Sequence, residues 1–301
     1  MTSLPPSPPL STMASDPSQL ADLRDAVQKQ RNLLATVRFG GDAGAIGKEL
    51  LELAELHGLL EEHAESRTHY EEALGHFRQA KDKRGEAQAL FGLGVVRANF
   101  EDHKGAMEHI AKAALLFNES KDREGEALCR AGIGESLRAL GDREAAAEKY
   151  QEALILFRQL KNRARITALL MDLGDLRMEG GDYAAARGRF LEALPLAEED
   201  EDPVPAALCN LLLGECEGLL GNPEGARPHL LAAVNAYADL HDHLYEARAR
   251  WDLGLACYHA QDWAAAREQF EAVLPLYEEQ GRAEEAAKVK SVLAHFSARG
   301  V

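Results

Sequence analysis

Positive charge is scarce in this sequence, and so are aromatic side chains, paired cysteines and long apolar runs. Lysine and arginine number 34 against 50 aspartate and glutamate, for a formal net charge of -16. Such a balance disfavours nucleic acid as a partner, because that affinity rests on cationic side chains neutralising phosphates. Aromatics make up 6% of residues and charged residues 28%, which suits amphipathic helices and leaves few strand-like stretches. Cys129, Cys209, Cys216 and Cys257 form no C-x-x-C pair and sit in apolar stretches, as structural thiols of a reducing compartment would. No apolar run is long enough to span a bilayer, and the stretch from Met1 to Ser15 has neither a basic nor an apolar leader segment. A cytoplasmic protein is expected. The sequence also lacks a glycine-rich phosphate loop after a strand and an H-E-x-x-H motif. His57, His63 and His69 are spaced around a hairpin, and His241-Asp242-His243 reads as a solvated turn. No enzyme, no metal and no cofactor is expected from these residues.

What the sequence does contain is a repeat. A large aliphatic followed by a small residue occurs at Leu53-Ala54, Leu93-Gly94, Ile133-Gly134, Leu173-Gly174, Leu213-Gly214, Leu253-Gly254 and Leu293-Ala294, each 40 residues after the last. Small residues follow at Ser66, Ala106, Ala146, Ala186, Ala226 and Ala266, and large ones four positions later at Tyr70, Ile110, Tyr150, Phe190, Leu230 and Phe270. Next come Ala73, Ala113, Ala153, Ala193, Ala233 and Val273, and then Phe77, Phe117, Phe157, Ala197, Tyr237 and Tyr277. Steps of three and four are helical spacing. Between the two periodic segments stand Gly141-Asp142, Gly181-Asp182, Gly221-Asn222-Pro223, Asp102 and Asp262, where glycine closes one helix and Asp or Asn caps the next. Each unit is helix, tight turn, helix, with small residues where two backbones approach.

This alternation resembles the tetratricopeptide repeat over roughly residues 45 to 297. The period of 40 exceeds the common one of about 34. No proline closes helix B, where Arg78, Asn118, Arg158, Glu198, Ala238 and Glu278 stand, and the usual helix A tryptophan is absent, Trp251 lying one residue beyond its slot. The longer unit is similar to adaptor arrays that orient spindles or link signalling proteins. The resemblance implies an all-α fold: a right-handed α-solenoid of helical hairpins with a capping helix at each end. It would be one domain over 16–301, with a capping helix at 16–38, repeats near 45–84, 85–124, 125–164, 165–204, 205–244 and 245–284, and a final helix at 285–299.

Residues 1–15 are rich in Pro, Ser and Thr and are expected to be disordered, and Met13 is an alternative start to Met1. Ala26, Leu33, Leu34 and Val37 are expected to cover the first repeat. Pro195, Pro228 and Pro275 fall inside helix B segments, where kinks or early ends are expected. The acidic run from Glu198 to Asp202, followed by Pro203, marks the least regular junction.

In arrays of this kind helix A lines a concave groove. A face rotated away from the buried one carries Phe91, Val95, Glu135, Arg138, Met171, Asp172, Asp175, Leu211, Glu215, Arg248, Trp251, Asp252, Leu255 and Tyr258. Apolar anchors among carboxylates suit a basic, amphipathic segment of another protein, although Phe91, Met171 and Trp251 are equally placed to pack as core. The basic clamp of carboxylate-binding co-chaperones is missing from the matching positions. Lys81 and Lys83, Lys121 and Arg123, and Lys161 and Arg163 recur every 40 residues along an edge, as dipole-complementing turn residues or as a dock for an acidic partner. The expected function is a protein-binding scaffold. A peptide-sensing regulator and a self-assembling structural protein are the alternatives.

Overall fold

The structure, a computed structural model, describes residues 17–299. The expectations for residues 1–15 and for the starting methionine lie outside the described residues. These residues form fourteen α-helices and no strand. They divide into two compact units, one ending at Asn162 and one beginning at Arg163.

In the first unit, α1 (Pro17–Gly40) precedes three hairpins: α2 (Ala43–Leu59) with α3 (His63–Ala80), α4 (Lys83–Asn99) with α5 (His103–Glu119), and α6 (Arg123–Ala139) with α7 (Arg143–Leu160). The second holds α8 (Arg163–Glu179) with α9 (Tyr183–Glu198), α10 (Val204–Leu219) with α11 (Pro223–Asp239), α12 (His243–His259) with α13 (Trp263–Glu279), and a last helix, α14 (Ala283–Arg299). Even-numbered helices are therefore the A helices of the repeat and odd-numbered ones from α3 to α13 the B helices.

Size alternation sets the packing within a hairpin. A Cβ added at Gly134 would lie 2.8 Å from the Tyr150 ring, and one at Gly214 would lie 2.3 Å from Leu230. Both pairs are the small and large positions of the repeat, so a larger A-helix residue would push the B helix away. At the first hairpin Ser66 donates from its hydroxyl to the Ala54 carbonyl at 2.8 Å, which satisfies a polar group inside the same close approach.

The turns obey a finer rule than the hairpins. A residue with left-handed φ stands at 41, 61, 81, 101, 121, 141, 161, 181, 221, 241, 261 and 281, every 20 residues with 201 the exception. Seven of these twelve turns achieve this without glycine: Glu61, Glu101 and Gln261 inside hairpins, and Lys81, Lys121, Lys161 and His241 between them. The next residue is commonly an acid or amide that caps the following helix. Asp82 and Asp122 accept the amides of Gly85 and Gly125 at 3.0 and 2.9 Å, and Asp142 and Asp262 do the same for Ala145 and Ala265 at 3.1 and 3.2 Å. Inter-hairpin and intra-hairpin turns are thus one structure used twice per repeat.

Two expectations need correction. Pro195, Pro228 and Pro275 do not end their helices, because α9, α11 and α13 continue past them. All three rings are exposed, so the carbonyl each leaves without its helical donor faces water rather than the core. In α1 the buried residues are Val27 and Leu34, whereas Leu33 is 46% exposed. Residues seven apart share a helix face, and Leu33 lies about 100° round from it.

Candidate functional site

The A helices of successive repeats touch one another, α2 with α4 and α4 with α6 in the first unit, and α8 with α10 and α10 with α12 in the second. Each A helix also packs on its own B helix, so its remaining face is the one available for a ligand.

In the first unit that face carries Val95, 41% exposed, and the exposed Glu135, with Arg138 half-buried. The half-buried Phe91 ring lies against Gly132 of α6, filling the gap between neighbouring A helices. In the second unit Met171, Asp172, Asp175, Leu255 and Tyr258 are half-buried. Leu211 and Trp251 are not on a surface: they are 0% and 1% exposed, which corrects their expected role as groove anchors. Trp251 stands edge-on to Phe270 at 5.3 Å, so its hydrophobic area is already used in the core. The half-buried Tyr258 replaces it as the aromatic on this face, edge-on to Phe296 at 6.0 Å and to Trp263 at 5.0 Å.

At the centre of the second unit's A-helix row the structure gathers charge. Glu215 of α10 and Arg248 of α12 are 2.6 Å apart, with side chains 11% and 22% exposed. Asp252 is 9% exposed and hydrogen-bonds the Glu215 carboxyl, while Asp175 adds a further negative charge. Burial is the main reason the Glu215 carboxyl titrates above the usual glutamate range, and it outweighs Arg248. On α13 the buried Tyr277 hydroxyl has no hydrogen-bond partner; Arg282, over its ring at 5.5 Å, is the charge that acts on it most, followed by Asp252, Glu285 and Arg248. Tyr277 was legible in the sequence only as a large residue of helix B. The signal for more was its phenol, where the first three repeats place phenylalanine and the fifth has Tyr237.

The basic edge is largely occupied within the protein. Lys83 pairs with Glu119 at 2.6 Å and Arg163 with Glu199 at 2.7 Å, the same contact in two different repeats, and Arg123 pairs with Glu126 at 3.0 Å. Lys81, Lys121 and Lys161 are exposed and supply the left-handed residue that closes α3, α5 and α7.

No group of three metal-ligating side chains occurs among the described residues. The four cysteines are buried, and burial pushes the thiols of Cys129, Cys209 and Cys216 up to about 12, so they are poor nucleophiles. His241 and Asp242 form a turn and its cap, and His243 lies 3.4 Å from Glu246. Among the other histidines, His57 is 1% exposed and stacks on His69 at 5.2 Å, its Nδ1 2.5 Å from Glu62. No described helix is long and apolar enough to cross a membrane.

Two tetratricopeptide-repeat family models match the chain, over residues 132–203 and 205–288, together a little more than half of it. No curated protein sequence matches. Among solved structures, BtubC (BKLC) from P. vanneervenii is 20% identical with a TM-score of 0.62, covering 76% of this chain and 93% of its own. A Rap protein complexed with Competence and Sporulation Factor is 17% identical with a TM-score of 0.58, covering 95% and 88%. The Rap conjugation gene regulator of plasmid pLS20, in complex with the Phr* peptide, is 15% identical with a TM-score of 0.54, covering 84% and 75%. At these identities the likeness is one of fold. The in-register small and large residues, the paired helices they hold together and the two matching family models have one reading, and the chain belongs to the tetratricopeptide-repeat superfamily.

Proposed function

We propose that this protein is a non-enzymatic, cytoplasmic adaptor that holds a basic, amphipathic segment of a partner protein along its A helices, chiefly in the second unit. The observation that carries this reading is the combination on α10 and α12: Glu215, Asp252 and Arg248 beside the half-buried Leu255 and Tyr258. Carboxylates that exceed the nearby cations favour a positively charged segment, and an aromatic ringed by polar groups is the usual form of an anchor. On the corresponding face of its own A helices the first unit carries Val95, Glu135 and Arg138.

A peptide-sensing regulator is the second reading. It is favoured by the resemblance to a gene regulator crystallised with a peptide, and it differs from an adaptor in predicting that a short free peptide changes the protein's conformation. Binding kinetics of a randomised basic peptide library test both. Tyr258→Ala should mainly speed dissociation, and Asp172→Lys with Asp175→Lys should mainly slow association and weaken its salt dependence. Binding that ignores both variants places the site elsewhere. The regulator reading further requires a change in scattering profile on addition of peptide.

A further inference from the structure

Arg248 is held less well than Arg130 and Arg250, two other half-buried arginines of the A helices. Arg130 of α6 hydrogen-bonds Glu126 through its side chain and carbonyl at 2.9 and 3.3 Å and Glu152 at 3.2 Å. Arg250, two residues from Arg248, bonds Glu246 at 2.7 Å and Gln269 at 3.2 Å. Arg248 has the single ion contact with Glu215, and its Nε is buried with no acceptor. A guanidinium carries five N–H donors in a fixed fork, so one contact satisfies it poorly.

Its surroundings are rich in carboxyl groups. Glu215 and Asp252 share a hydrogen bond, Asp175 acts on them from α8, and Arg248 is the cation in direct contact. The nearly buried Tyr277 hydroxyl, 1% exposed, adds a donor that is not used. Arg248 is also the most exposed of the three charged side chains in contact, so it is the one that can leave without disturbing the helices beneath it.

We propose that Glu215 and Asp252, with the Tyr277 hydroxyl beside them, form a cation-exchange subsite in which an arginine side chain of the bound segment takes the place that Arg248 occupies in the free protein. Arg248 is then an internal stand-in for the ligand. On exchange its guanidinium moves to solvent, the incoming guanidinium pairs with the two carboxyls, which keep the proton of their shared hydrogen bond, and net charge in the subsite is unchanged. The phenol then donates to whichever carboxylate oxygen the new arrangement leaves open. Arginine is favoured over lysine because its planar fork engages two carboxyls at once. This inference rests on the A-helix reading above and names the chemistry that the surface selects.

The test has two arms on the full chain. In the first, thermal unfolding of Arg248→Ala is followed with methylguanidinium and with methylurea, its neutral counterpart of similar shape. Methylguanidinium should raise the melting temperature of the variant and leave the parent protein unchanged, and methylurea should act on neither. In the second, a randomised decapeptide library with one fixed arginine is compared with the same library carrying citrulline there. The parent should prefer arginine by about tenfold, Arg248→Ala by more, and Glu215→Gln with Asp252→Asn should lose the preference. If Arg248→Ala does not fold, Arg248→Lys, which retains a charge but not the fork, should likewise show a larger preference than the parent. Library peptides that bind along α10 and α12 with no preference for arginine overturn the subsite and leave the adaptor reading intact. Failure of both libraries to bind there overturns both readings. An Arg248 variant with weaker arginine preference than the parent shows that Arg248 is part of the site rather than a stand-in.

Discussion

Three A-helix glutamates are nearly buried, and they are treated in two ways: Glu126 of the first unit and Glu246 of the second, 120 residues on and paired with Arg250 at 2.7 Å, follow one rule, and Glu215 of the second follows another. Glu126, in the first unit, sits between Arg123 at 3.0 Å and Arg130 at 2.9 Å. Burial works against its ionisation, but the two arginines outweigh burial and hold the carboxyl below the usual range. Glu215, in the second, faces Arg248, Asp252 and Asp175, and burial, helped by the charge of Asp175, carries it above that range against the opposing pull of Arg248 and the hydrogen bond with Asp252. The first arrangement is finished: every charge has a partner and nothing is left for a ligand. The second leaves the Nε of Arg248 buried without an acceptor, at a place where the repeat frame does not need a charged group. An imbalance of that kind, on a scaffold whose packing is otherwise regular, is what distinguishes a binding position from a structural one.

The shared frame can be broken first. Gly134→Leu and Gly214→Leu drive a side chain into Tyr150 and Leu230, and each should cost about 1–3 kcal/mol or more, measured by urea unfolding. Similar losses establish that both units use one packing rule, and unchanged stability in either removes that hairpin from the register.

Stability against pH sharpens the contrast between the glutamates. The folded-state pKa of Glu126 is depressed, so its contribution is present above the ordinary value of 4.5 and is lost as pH falls through the depressed one. That of Glu215 is raised, so its contribution is present below 4.5 and is lost as pH rises through the raised one. Glu126→Gln should therefore flatten the acid limb of the stability curve, and Glu215→Gln should flatten the decline on its less acidic side. Identical curves for the two variants would erase the distinction.

The turn geometry predicts smaller gains. Lys121→Gly relieves a left-handed backbone at φ 58° and should stabilise by about 0.5–1 kcal/mol, despite the added freedom of the unfolded chain. The exposed edge pair gives the smallest effect. Lys83→Ala removes the contact with Glu119 and should cost no more than about 0.5 kcal/mol. A larger loss would show that the edge ladder holds the repeats together.

Most of the fold was legible because packing repeats. Leu93-Gly94 with Ile110, or Ile133-Gly134 with Tyr150, imposes a size rule that is visible without coordinates. The twenty-residue rhythm of the turns was harder to read, since Lys81, Lys121 and Glu101 take a conformation that sequence reasoning assigns to glycine. Only the aspartates that follow them give it away. The helices that continue through Pro195, Pro228 and Pro275 escaped for a related reason. Whether a proline ends a helix depends on whether the freed carbonyl can reach water. At the candidate site, Glu215, Arg248 and Asp252 were identified by helical angle, but the burial of Leu211 and Trp251 was not. A rotation of a few tens of degrees separates groove from core, and it is set by the neighbouring helix, which a single-helix projection omits.

Hydrogen exchange with and without a bound arginine-containing library peptide tests the central claim most directly. The account predicts slowed exchange concentrated in α10 and α12, with the B helices and the turns at Lys81, Lys121 and Lys161 unchanged. Protection confined to those turns or to α9, α11 and α13 would contradict it.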